Sequence, residues 1–130
     1  MTEPKFLSLE DALYIHEAQL RAHGGATGIR DRGLLESALG MPQAGFGGEF
    51  VHTTLFEMAA AYAFHIAQNQ PFVDGNKRTG LTAALVFLDI NGYEVGDPKS
   101  DLYDAMIGIA ERRHTKSDLA QLLKHLAAAK

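Results

Sequence analysis

The chain has 130 residues, 46% of them hydrophobic and 22% charged, with a formal net charge of -4, which suits one globular domain with a core of its own and argues against nonspecific nucleic-acid binding. It contains no cysteine, so it can build neither a disulfide framework nor a thiolate metal site. No apolar run reaches membrane-spanning length, because Asp89 interrupts the best candidate, and MTEPKF does not read as a signal peptide, so a cytoplasmic protein with no membrane and no direct nucleic-acid partner is expected.

In chain order, Ser8 with Asp11 three positions on starts a first helix. Leu9, Leu13, His16 and Leu20 recur on one face of it. His16 and His23 are about 10 Å apart by helix rise, too far to share a metal ion, and read as structural. Gly24 to Gly28 form a loop, and Asp31 caps a short helix from Arg32 to Leu39 that Gly40 ends. Residues 41–50 carry several glycines together with Phe46 and Phe50. They read either as a mobile loop of functional use or as a connector with its aromatics packed down. Thr54 and Glu57 form a capping box for a helix running to about Asn69, and Leu55, Met58, Ala59, Tyr62, Ala63 and Ile66 fit its buried face. Pro71 closes that helical region, and Phe72 is expected to anchor the following loop in the core.

The stretch Gln70-Pro71-Phe72-Val73-Asp74-Gly75-Asn76-Lys77-Arg78-Thr79-Gly80 leads into a helix of about Asn76–Asn91. That helix is apolar or small on nearly every side, as a central buried helix is, with Gly92 as the residue after its end. Its first turn nevertheless carries Lys77 and Arg78. Cations are disfavoured at a helix N-terminus, where unpaired N–H groups already present partial positive charge. Two of them there imply an anion, with phosphate the usual one. Asp74, one turn earlier, could hold a divalent cation bridging phosphates. The plain alternative is a turn and N-cap at Asp74-Gly75-Asn76 with both cations solvated. Farther on, Tyr93-Glu94-Val95 is a short extended link. Asp97-Pro98 opens a helix to about Arg113 with Leu102, Met106, Ile109 and Ala110 inward. Thr115 and Asp118 cap a last helix with Leu119, Leu122, Leu123 and Leu126 inward. These elements make an all-α domain of about six helices spanning residues 1–130.

The segment PFVDGNKRTG resembles the core motif of the Fic/Doc family, and within it of the Doc (death-on-curing) toxins. The general pattern is His-Pro-Phe-x-Asp/Glu-Gly-Asn-Gly-Arg, and Doc-type members put Lys in place of the last Gly, as Lys77 does. Arg32 to Leu39 and Pro42-Gln43 also look Doc-like, so the resemblance covers roughly residues 5–125. It implies the Fic/Doc fold, with residues 44–52 as a flap that aligns a target peptide by strand-like pairing. It implies Mg²⁺ on Asp74, phosphates cradled by Gly75, Asn76, Lys77 and Arg78, and catalysis by the motif's first residue together with Asp74, Lys77 and Arg78.

The family's first motif residue is a His acting as base. Here it is Gln70, whose amide cannot take a proton from a hydroxyl. His65, on the preceding helix, reads as a packed histidine. The resemblance implies that Lys77 favours a reversed ATP pose with the γ-phosphate at the reacting centre, and Leu81, where AMP-transferring members carry a second Arg, points away from AMP transfer. The implied target is a threonine of translation elongation factor Tu. No built-in inhibitory Ser/Thr-x-x-x-Glu-Gly/Asn motif is present, so a separate Phd-like antitoxin is the implied inhibitor. The resemblance thus implies a toxin that phosphorylates a protein hydroxyl. Transfer of AMP, or an inactive member that only binds nucleotide, antitoxin or target, are the alternatives.

Overall fold

The computed structural model describes residues 3–130. Among the described residues are six α-helices: α1 Leu9–His23, α2 Arg32–Gly40, α3 Leu55–Asn69, α4 Asn76–Ile90, α5 Asp101–Ala110 and α6 Lys116–Leu126. Two small antiparallel sheets accompany them, β1 Gly45–Phe46 with β2 Glu49–Phe50, and β3 Tyr93–Val95 with β4 Ala127–Ala129. No helix among the described residues is long and apolar enough to cross a membrane.

The most extensive helix–helix contact joins α3 to α4, and small residues make it possible. Ala59, Ala60 and Ala63 on α3 and Ala83 and Ala84 on α4 are fully buried. At Gly80 an added Cβ would stand 2.8 Å from the Ala63 carbonyl oxygen, so backbone meets backbone there. Around this seam Tyr62, Ile66, Phe72, Phe87 and Leu88 form one continuous core with Leu102, Met106 and Ile109 of α5 and Leu119 and Leu123 of α6. The central position expected of α4 is thus seen, although Leu81, Leu85 and Val86 stay half-buried along one flank.

Local signals set most boundaries. Reciprocal capping boxes start α1 (Ser8/Asp11) and α6 (Thr115/Asp118), and the Asp31 carboxylate caps α2. At α3 the Thr54 hydroxyl accepts from Glu57 N, but the Glu57 carboxylate reaches back to Thr53 N, one residue beyond the expected partner. The start of α5 also differs from expectation. Pro98 to Ser100 form a turn ending with Ser100 at φ 58°, and helix begins only at Asp101. Asp97 still caps it, accepting from Asp101 N at 2.8 Å and Leu102 N at 3.1 Å. The helix ends at Ala110, which is exposed rather than inward. Strand β4 has no counterpart in the sequence reading. It is three alanines, drawn into extended form by pairing with β3 and closed by Lys130 N donating to Gly92 O at 2.9 Å.

Residues 45–50 do form a hairpin, turning at Gly47-Gly48. Its two aromatics lie in different surroundings. Phe46 at its tip is 90% exposed, whereas the Phe50 ring lies 5.6 Å from that of Phe6.

Candidate phosphate-binding site at the start of α4

The site is a loop, residues 70–75, between two buried helices. Gln70 ends α3 in the left-handed conformation (φ 47°, ψ 56°), its N–H still bonded to Ile66 O at 3.1 Å. Pro71 and Phe72 are buried, so the loop is held down at its start. Asn76 closes it: its side-chain oxygen accepts from Phe72 N and its amide donates to Phe72 O, each at 3.0 Å. The Asn76 side chain is therefore engaged within the loop, and its backbone N–H is left for a ligand.

Among the described residues, α4 is the one α-helix whose first turn receives no side-chain acceptor. Its N-cap is Gly75, left-handed at φ 77°, with no side chain to offer. The other five starts are capped by Ser8, Asp31, Thr54, Asp97 and Thr115. Thr79 N bonds Gly75 O at 3.0 Å, which leaves the amides of Asn76, Lys77 and Arg78 for an outside acceptor. Such an array, aligned with the helix dipole, favours an anion.

Asp74 supplies the one carboxylate. Its Oδ1 accepts from Gly75 N at 2.9 Å and its Oδ2 from Ala26 N at 3.2 Å. A cavity of about 220 Å³ brings together Gln70, Asp74, Gly75, Asn76 and Lys77, with Ala67 and Ala110 as apolar walls. Arg78 does not line it; its guanidinium carbon sits 4.8 Å from the centroid of the Tyr103 ring on α5, a cation–π distance.

No group of three or more His, Cys, Asp or Glu side chains suited to a metal occurs among the described residues. An all-protein cage is therefore not offered. One carboxylate beside free amides and a lysine does fit Mg²⁺, which keeps most of its shell as water and phosphate oxygens. His65 faces elsewhere: its Nε2 accepts from the Lys116 ammonium of α6 at 3.0 Å. Burial first, then Lys116 and His52, push its pKa down to about 4. It does not stand in for a base at position 70.

Several residues that hold the loop carried no signal of that role in the sequence. Arg30 donates through Nε to Gln70 O at 2.7 Å and through Nη2 to Asn69 O at 2.8 Å, tying off the end of α3. The α1–α2 loop runs alongside the motif: Val73 N donates to Gly28 O, Arg30 N and Asp31 N donate to Pro71 O, and Ile29 bridges Phe72. His16, read as structural, donates from Nε2 to the Asp74 carbonyl at 2.8 Å. A larger groove of about 570 Å³ between α5 and α6, rimmed by Asp101, Asp104 and Asp118, contains no motif residue.

Comparison with known proteins bears on the family to which the chain belongs. Residues 6–88 match the model of the Fic/DOC family. The protein kinase Doc of Escherichia phage P1 is 36% identical over 122 residues, covering 94% of this chain and 95% of its own. The toxin Doc of Mycolicibacterium smegmatis is 39% identical over 134 aligned positions, covering 99% and 97%.

Proposed function

The chain belongs to the Fic/Doc family, and from that premise we propose that it is a Doc-type toxin that transfers the γ-phosphate of ATP to a protein hydroxyl. The acceptor in this reading is a threonine of elongation factor Tu in the cytoplasm, so that translation stops. A Phd-like antitoxin laying a helix into an apolar groove would be the inhibitor. The observation that carries the reading is the uncapped start of α4, with Asp74 and Lys77 beside it in one cavity.

In this reading the amides of Asn76, Lys77 and Arg78 bind phosphate oxygens, and the Lys77 ammonium offsets the charge that gathers on the transferring group. Arg78 is the second cation of the same turn. Asp74 would hold Mg²⁺, which supplies charge neutralisation between the phosphates when bound. The acceptor oxygen bonds to the γ-phosphorus, the bond to the bridging oxygen breaks, and ADP leaves. Gln70 can orient the attacking hydroxyl by hydrogen bonding but cannot take its proton, which passes instead to water or to a phosphate oxygen. Loss of a general base typically slows a reaction by about 10²- to 10⁴-fold, so turnover is slow as the chain stands.

Gln70 also favours a second reading, a member that binds nucleotide, antitoxin or target without chemistry. Protein with Mg²⁺, elongation factor Tu and ATP labelled separately at the α- and γ-phosphates separates the two. Label from γ supports the kinase reading, and label from α means AMP transfer. No label from the parent, but γ label from Gln70→His, identifies a disarmed toxin. No label from either leaves the binding protein.

A further inference from the structure

We propose that His16, Gly25 and Ala26 form a clamp that sets the position of Asp74, which makes them positioning residues for the cation and phosphates; the inference rests on the reading of Asp74 given above. Asp74 is held from three sides at once. Its own loop supplies the Gly75 N–H to Oδ1 at 2.9 Å, and the α1–α2 loop supplies the Ala26 N–H to Oδ2 at 3.2 Å. Helix α1 supplies the His16 Nε2–H to the main-chain oxygen at 2.8 Å. A carbonyl can only accept, so His16 must carry its proton on Nε2.

The histidine is itself fixed. It is 6% exposed, and its ring lies flat on that of Phe72, with centroids 3.8 Å apart and planes 7° from parallel. Gly25 is the tightest point. A Cβ there would stand 2.8 Å from Asp74 Oδ2, and its φ of +123° is one that side chains rarely adopt. Position 25 thus tolerates the carboxylate where it is only as glycine. Each carboxylate oxygen spends one lone pair on a backbone donor and keeps capacity for a cation. Partners that orient a ligand in this way typically contribute about 10- to 100-fold to metal affinity.

The test uses Gly25→Ala, His16→Phe and His16→Gln. Phe keeps a flat ring against Phe72 without the donor, and Gln restores a donor near the Nε2 position. Two readouts are taken: amide hydrogen exchange at Ala26 and Gly75 against the core amides of α3 and α4, and titration with Mn²⁺ in the presence of ATP. Faster exchange at Ala26 and Gly75 with an unchanged core is expected for Gly25→Ala and His16→Phe. Their Mn²⁺·ATP affinity should fall about 10- to 100-fold, with His16→Gln within about threefold of the parent. Parent-like exchange and affinity in Gly25→Ala and His16→Phe overturn the clamp alone. A parent with no affinity for Mn²⁺·ATP overturns the phosphate reading, and the clamp's function with it.

Discussion

Acid should unfold this protein partly through His65. The ring is half-buried on α3 and accepts the Lys116 ammonium at 3.0 Å, and burial, Lys116 and His52 together take its pKa from 6.5 to about 4. Lys116 is itself pushed down by burial, and His52 is lowered by burial and by Lys116, with Glu57 opposing. Between these pH values the unfolded chain binds a proton at this histidine that the folded chain refuses. The stability it contributes is therefore fully present above pH 6.5 and is lost as pH falls towards about 4. At about 1.36 kcal/mol per pH unit the whole window is worth about 3 kcal/mol, and solvent screening of a half-buried ring reduces that to about 1–2 kcal/mol. Urea unfolding of the parent and of His65→Gln at steps from pH 8 to pH 4 measures it, because carboxylate titration is common to both and cancels in the difference. The parent should lose about 1–2 kcal/mol more than the variant across the window. Parallel curves would refute the assignment of the acid sensitivity to this histidine.

Tyr62→Phe leaves Leu7 N–H, now bonded to the buried hydroxyl at 2.9 Å, without a partner. A loss of about 1–3 kcal/mol in urea unfolding is expected, and an unchanged midpoint would count against that bond. Gly80→Ala gains about 1 kcal/mol in helix propensity but drives a methyl to 2.8 Å from Ala63 O. Overpacking of about 1–3 kcal/mol should outweigh that gain, so a raised melting temperature would contradict the tight α3–α4 seam. Phe46→Ser, at a 90% exposed site, should change stability by less than about 0.5 kcal/mol while lowering γ-label transfer to elongation factor Tu. Parent-like transfer would remove Phe46 from target alignment.

The motif was legible because its signals are local. Lys77 and Arg78 at the start of an apolar helix conflict with the helix dipole, and that conflict points to an anion without any knowledge of the fold. Ser8 with Asp11, Asp31, and Thr115 with Asp118 placed three helix starts for the same reason. What was not legible depends on contacts between distant segments. His16 meets Asp74 across 58 positions and Arg30 meets Gln70 across 40, and no periodicity records such pairs. The same holds for β4, where pairing with β3 overrides the helix preference of three alanines. At α5, Asp97-Pro98 carried the right cap but the wrong register, since the left-handed Ser100 lets the carboxylate reach amides four and five residues on.

The central claim is that the start of α4 receives the phosphates of ATP. Titrating Mg²⁺·ATP into isotopically labelled protein and following backbone amide resonances tests it without requiring turnover or a known target. Saturable shifts at Asn76, Lys77 and Arg78, weakened by Asp74→Asn, are the predicted result. Shifts confined to the α5–α6 groove, or none at millimolar ATP, would contradict it.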